Sequence, residues 1–356
     1  MSKKSYRQAI NEALAQEMRR DPNVVILGID MGGGQGGSGA IGDVGGVLGV
    51  TRGLYAEFGA TRVIDTPISE SAIMGAAAGA ALTGLRPVAE LMFVDFLGVC
   101  LDQVYNQAAK FRYMFGGNAK TPMVIRTMIG AGLRAGAQHS QTLHPWLTAV
   151  PGLKVVMPSN AYDAKGLLIE AIRDDDPVVF LESKVLYDTE DEVPDEMYRI
   201  PFGEANIVRA GRDVTIVALG AMVPRALQAA QNLQRAGISV ELIDPRTTSP
   251  LDSATILESV EKTGRLVIVD ESPPRCSLAA DIAAVVAEEG FHFLRGPIRR
   301  VTCPHTPVPF APNLEDAYVP SVAAIEAAAQ SLAERSHTAS PDRQTAERRL
   351  EPALKV

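Results

Sequence analysis

Glu70 closes the run Asp65-Thr66-Pro67-Ile68-Ser69-Glu70 and heads a segment made almost entirely of small and apolar residues. An acid in the first turn of a helix complements the helix dipole, typically for about 0.3–1 kcal/mol, and that role alone would account for it. A carboxylate at the strand-to-helix edge of a buried element also stands where α/β proteins form ligand sites, and burial can tune its proton affinity. His139 lies in Gly130-Ala131-Gly132-Leu133-Arg134-Ala135-Gly136-Ala137-Gln138-His139-Ser140-Gln141, a polar loop after an apolar run. Glycine permits close backbone approach to a ligand. A histidine there can donate to a developing oxyanion or move a proton near neutral pH, or it can be an ordinary surface histidine. A third run, Gly34-Gln35-Gly36-Gly37-Ser38-Gly39, matches the Gly-x-Gly-x-x-Gly pattern of dinucleotide sites. That chemistry needs the loop to open directly into a helix whose N-terminus meets the pyrophosphate. Here the chain continues Ala40-Ile41-Gly42-Asp43-Val44-Gly45-Gly46, a poor helix start, so the run reads as a flexible loop. His144, His292 and His305 have weaker context.

The elements that must position these residues follow from hydrophobic patterning. The chain opens on a helix with Ile10, Leu14 and Met18 on one face, ended by Asp21-Pro22. Short continuous apolar runs bounded by breakers predict buried parallel strands at 24–28, 61–67, 87–93, 122–126, 153–157 and 177–181. Between them lie a small-residue helix at 69–82, expected to be buried, and helices at 95–111 and 163–173. The alternation predicts a doubly wound α/β domain over residues 1–187. Residues 188–201 are acidic and aperiodic and read as a linker. A second α/β block, 202–335, shows strands at 214–218, 239–243 and 265–269 and helices at 223–236, 254–263, 278–289 and 322–334. The tail, 336–356, is polar and charged and is expected to be disordered.

Composition narrows the function classes. Hydrophobic residues make up 46% and charged residues 21%, which is globular. A net charge of −8 without a basic stripe argues against nucleic acid as a partner. There is no run of about 18 apolar residues, so no transmembrane span is expected, and the polar N-terminus shows no signal peptide. Cys100, Cys276 and Cys303 lack metal-ligand spacing and are odd in number, which points to a reducing, cytoplasmic setting.

Five motifs in order resemble one family: Asp65-Thr66-Pro67-Ile68-Ser69-Glu70, Ala137-Gln138-His139-Ser140-Gln141, Pro151-Gly152-Leu153-Lys154-Val155-Val156, Asp163-Ala164-Lys165-Gly166-Leu167 and Ile172-Arg173-Asp174. The chain resembles, over about residues 5–335, the beta subunits of the thiamine-diphosphate-dependent 2-oxo acid and acetoin dehydrogenases, which are transketolase-like. Thr247-Thr248-Ser249-Pro250-Leu251-Asp252 and Val267-Ile268-Val269-Asp270-Glu271 fit the family's C-terminal domain. Glu90 to Phe96, Phe111 to Gly117 and Pro304 to Phe310 look most like the acetoin branch.

The resemblance implies two doubly wound domains, a pyrimidine-binding domain and a transketolase C-terminal-type domain. It implies that Glu70 hydrogen-bonds the cofactor's pyrimidine ring nitrogen, that Phe96 packs against that ring, and that His139 lines the substrate pocket. The family's metal motif, Gly-Asp-Gly with a later Asn, is missing, Gly42-Asp43-Val44 being nearest. A partner alpha subunit would therefore hold the diphosphate and Mg2+, in an alpha2beta2 heterotetramer that serves a lipoyl-bearing dihydrolipoyl acyltransferase. Ala171, Ile172 and Asp174 resemble a structural potassium site of some relatives. One departure stands out: many relatives carry a glutamate near the cofactor where this chain has Ile29, in Gly28-Ile29-Asp30. Acetoin is the expected substrate, with pyruvate or a branched 2-oxo acid as alternatives. A non-catalytic scaffold is the rival of another class, and a Rossmann dehydrogenase the most distant one.

Overall fold

The structure of the protein, a computed structural model, describes residues 1–33 and 44–334. The run Gly34 to Gly39, the nearest approach to a metal motif at Gly42-Asp43, and the tail 336–356 lie outside the described residues.

In chain order the strands are β1 (Ser2–Ser5), β2 (Val24–Gly28), β3 (Val63–Asp65), β4 (Arg86–Phe93), β5 (Val124–Ile129), β6 (Lys154–Val156), β7 (Val178–Ser183) and β8 (Glu190–Val193). They continue with β9 (Asn206–Arg209), β10 (Val214–Ala218), β11 (Val240–Asp244), β12 (Thr247–Ser249), β13 (Leu266–Asp270) and β14 (Arg299–Thr302). The first sheet has the order β12-β6-β7-β5-β4-β2-β3 and is parallel except for β12, which pairs antiparallel with β6. The second has the order β14-β13-β10-β11-β9, parallel except for β9. Helices cover the faces of both, so β2, β5, β7, β10, β11 and β13 are buried along their whole length. That is why their sequences read as mainly apolar runs, broken at single positions such as Arg126 and Thr215, rather than as alternating ones.

The first helix, Tyr6–Arg20, starts where it does because Ser5 and Gln8 form a reciprocal capping box. It buries Ile10, Leu14 and Met18, as the pattern requires. Its Glu17 is buried too, and Arg173 at the end of the helix Ala161–Arg173 donates to it at 2.6 Å.

Four expectations need correction. The chain begins with a strand, not a helix: β1 pairs antiparallel with β8, which lies inside the aperiodic segment 188–201. The two strands are four residues each, too short to show a period. The single helix expected over 95–111 is a succession: a 3-10 turn Val94–Phe96, an α-turn Leu97–Leu101, a π-helical stretch Asp102–Ala108 and a last turn Phe111–Met114. Turns of different pitch share similar hydrophobic spacing, so the break leaves no mark in the pattern. The helix Glu70–Leu82 is not buried all round. Ile73, Met74, Ala77, Ala78 and Ala81 face the core, while Ser71, Ala72, Ala76 and Gly79 are exposed. Alanine and glycine suit either environment and do not reveal which face is covered. Nor is the order of strands purely parallel, since β9 and β12 join their sheets antiparallel. Among the described residues no helix is long and apolar enough to cross a membrane.

Candidate active site

Five adjacent parallel strands deliver the candidate residues to one edge. Ile29 follows β2, Glu70 follows β3, Phe96 follows β4, His139 lies in the loop after β5, and Lys184 directly follows β7. The carboxyl edge of an open α/β sheet is where such folds bind ligands.

Glu70 is the first residue of the helix Glu70–Leu82 and is half-buried. Its carboxylate has no hydrogen-bond or ion-pair partner among the described residues. Burial pushes the Cys100 thiol up to about 12, and Glu70 adds to that rise; the helix that Glu70 heads is tied to the turn Leu97–Leu101 by the Ser71 hydroxyl, which donates to the Val99 carbonyl at 2.6 Å. Phe96, Phe93 and His139 form a cluster of rings packed edge to face. His139 lies 5.0 Å from Phe93 and 5.5 Å from Phe96, with interplanar angles of 84° and 87°. Ile29 and Phe96 are both packed against one core cluster, which includes Leu27, Ile73 and Leu91. Ile29 is a side chain that cannot exchange a proton.

The loop that carries His139 is closed at its neck by the Gly130 N–H donating to the Gln141 carbonyl at 3.0 Å. It is fastened from three sides by residues that sequence reasoning missed. Asp95, beside Phe96, accepts from the Gln141 backbone and side chain at 3.1 and 2.9 Å. Glu271, at the end of β13, accepts from the Ala131 N–H at 2.7 Å. Glu315 accepts from the Gly132 N–H at 2.9 Å and from the Arg134 guanidinium at 2.6 Å. Lys184 donates to the His139 carbonyl and sits 5.0 Å above the Phe93 ring. Burial pushes Lys184 down to about 8, against the pull of Asp95, Glu271 and Glu315. Burial pushes Glu271 up to about 7, against the Ala131 N–H, Arg225 and Lys184. Gly132 is required as glycine: its φ is +107°, and a Cβ there would lie 2.4 Å from the Val185 side chain.

Beneath this edge, Arg126 on β5 is 2% exposed and bridges two acids, donating to Glu182 at 2.7 and 2.9 Å and to Glu90 at 2.8 Å. The Tyr187 hydroxyl donates to the same Glu182 at 2.6 Å. Burial raises Glu90 above the ordinary glutamate range although Arg126 opposes it. An arginine inside the apolar run Val124–Ile129 was the one signal in the sequence that could have found this network.

Ala171, Ile172 and Asp174 lie at the opposite edge, ahead of β7. The carbonyls of Ile172 and Asp174 accept from Arg86 at 3.1 and 2.9 Å, and Lys154 holds the Asp174 carboxylate at 2.6 Å. Cationic side chains already occupy these acceptors, so the residues as they stand do not fit a potassium ion.

Similarity to known proteins accords with this geometry. Residues 2–189 match the family model "Transketolase, pyrimidine binding domain" and residues 203–325 "Transketolase, C-terminal domain". The chain is 63% identical over 328 residues to the acetoin:2,6-dichlorophenolindophenol oxidoreductase subunit beta of Cupriavidus necator, covering 92% of this chain and 97% of that one. It is 58% identical to the Bacillus subtilis protein of the same name, over 89% and 93% of the two chains. The chain belongs to the beta subunits of the thiamine-diphosphate-dependent acetoin and 2-oxo acid dehydrogenases. Within that family a pyruvate dehydrogenase E1 component subunit beta, from Rhizobium meliloti, is 44% identical over 91% of this chain and 69% of its own. A solved structure of a split gene transketolase, an inactive beta4 tetramer, has the same fold, with a TM-score of 0.73 at 23% identity over 93% of this chain and 98% of that one. These beta subunits are parts of oxidoreductases that work with an alpha subunit, and thiamine diphosphate is the family's cofactor. A half-buried carboxylate with no hydrogen-bond partner among the described residues, at the sheet edge that also carries an aromatic and histidine cluster, fits the pyrimidine half of that cofactor.

Proposed function

We propose that this chain is the beta subunit of the thiamine-diphosphate-dependent first component of an acetoin dehydrogenase complex, acting in the cytoplasm. Its substrate would be acetoin, cleaved at the carbon–carbon bond beside the carbonyl. The acetyl unit passes to one sulfur of a lipoyl group, the other sulfur takes a proton, and acetaldehyde leaves. The reading is supported by identities of 63% and 58% to acetoin:2,6-dichlorophenolindophenol oxidoreductase beta subunits, against 44% to a pyruvate dehydrogenase beta subunit.

When bound, thiamine diphosphate supplies a thiazolium carbon nucleophile, and the protein orients it and tunes its electronics. Glu70 would hold a proton at the cofactor's pyrimidine ring nitrogen. Phe96 packs against the ring. His139 lines the substrate pocket, where it can donate to oxygen or carry a proton. Ile29 closes the wall without a proton of its own. The alpha subunit would hold the diphosphate and Mg2+, since this chain lacks Gly-Asp-Gly, and the assembly would be alpha2beta2. Its acyl acceptor is the lipoyl arm of a dihydrolipoyl acyltransferase.

The test is steady-state kinetics of the reconstituted complex on acetoin, pyruvate and branched 2-oxo acids. We expect kcat/KM to favour acetoin by at least about tenfold, a difference of about 1.4 kcal/mol in transition-state binding. A preference for a 2-oxo acid would overturn the choice of substrate. Ile29 alone favours a scaffold subunit, and a titration of the complex that shows no saturable thiamine diphosphate binding would establish that rival.

A further inference from the structure

The loop 130–141 belongs to the first domain, yet two of its fastenings come from the second. Glu271 leaves β13 and accepts from the Ala131 N–H at 2.7 Å, across 140 residues of chain. Glu315, fully buried, accepts from the Gly132 N–H at 2.9 Å and the Arg134 N–H at 3.3 Å. From the far side, Lys184 of the first domain donates to the carbonyl of His139 itself. Gly130, Gly132, Arg134 and Gly136 in this loop all have positive φ, a conformation that residues other than glycine resist. Carboxylates bind one end of the loop through its N–H groups, and an ammonium binds the other through a carbonyl. Such charge-assisted bonds are roughly twice as strong as neutral ones.

We propose that Glu271 and Lys184 are positioning residues for His139, so that the second domain, which supplies none of the side chains assigned to the cofactor or substrate, nevertheless sets the geometry of the active site. The inference rests on the functional reading above. Neither residue touches the reacting atoms. Glu271 fixes where the loop leaves β5, and Lys184 fixes the peptide that carries the imidazole. A histidine held only by its ring contacts with Phe93 and Phe96 would sample positions off the reactive one, and small misplacements of that kind are costly to turnover.

The experiment is a set of double-mutant cycles on the whole complex, with acetoin-dependent reduction of 2,6-dichlorophenolindophenol as the readout. Glu271→Gln and Lys184→Met are each made in the native background and in His139→Ala. We expect each to lower kcat about tenfold in the native background, with the Kd for thiamine diphosphate unchanged, and to have less than about a twofold effect when His139 is already gone. Equal losses in both backgrounds, or no loss in the native one, would overturn the proposal. Amide hydrogen exchange gives a readout independent of activity: residues 131–139 should exchange faster in both variants, and unchanged protection counts against the clamp. If Glu271→Gln fails to assemble, Glu315→Gln replaces it as the second-domain arm of the cycle. A native complex that binds no thiamine diphosphate and turns over no substrate would instead sink the functional reading, and the positioning role with it, a result distinct from simple additivity.

Discussion

His139 meets Phe96 edge-on, with ring centroids 5.5 Å apart and planes at 87°. One residue follows β4 and the other ends a loop after β5, so the contact ties two neighbouring strand ends into one wall. Edge-to-face pairs of this kind contribute about 0.5–1.5 kcal/mol beyond the area they bury. Phe96→Ala should therefore weaken thiamine diphosphate binding about tenfold and lower kcat, measured by titration and steady-state rates on the complex.

Glu70→Gln keeps the shape of the side chain and removes its ability to exchange a proton. Turnover should fall by at least about a hundredfold, the lower end of what general acid–base groups supply. Sedimentation of the complex should stay unchanged, because the carboxylate has no hydrogen-bond partner among the described residues. Near-normal activity in the variant would refute the role of Glu70.

Glu271 makes stability depend on pH. Burial, opposed by the Ala131 N–H, Arg225 and Lys184, lifts its carboxyl from 4.5 to about 7. The folded protein then binds an extra proton between those values. The stabilisation is fully present below the unfolded pKa and is lost as pH rises through the folded one. From about pH 5 to about pH 8 the Tm of Glu271→Gln should decline less than that of the native chain. Parallel pH profiles of Tm for the two proteins would contradict this.

Arg126→Met would leave Glu90 and Glu182 facing each other inside the sheet without their shared cation. Breaking a buried pair by removing one partner typically costs about 3–5 kcal/mol. Arg19→Ala at the exposed pair with Glu57 serves as the control and should cost no more than about 1 kcal/mol. Urea unfolding of both variants tests the contrast.

The parts of the fold that were legible are those in which local sequence and global environment agree. Val24–Gly28 is apolar throughout, and Val214–Ala218 and Leu266–Asp270 are apolar but for Thr215 and Asp270, because both faces of each strand are covered. Strands of three or four residues such as β12, β9 and β14 carry no period to read, and only their partners define them. The same holds for the site. Glu70 and His139 stand out through their own neighbours in the chain. Glu271 and Glu315 matter through partners 140 and 183 residues away, and no local pattern encodes such a distance. Lys184 follows a buried strand, where burial alone changes what a lysine can do.

The strand β12 has one more consequence. It is built from Thr247–Ser249, yet it forms the outer border of the first sheet, hydrogen-bonded along β6. A polypeptide stopping near residue 201 would leave Lys154–Val156 bare along one side, an open row of amide groups of the kind that recruits strands from other molecules. The halves that family models separate are therefore interdependent in folding: severing the connector should yield an aggregating fragment rather than a smaller working subunit.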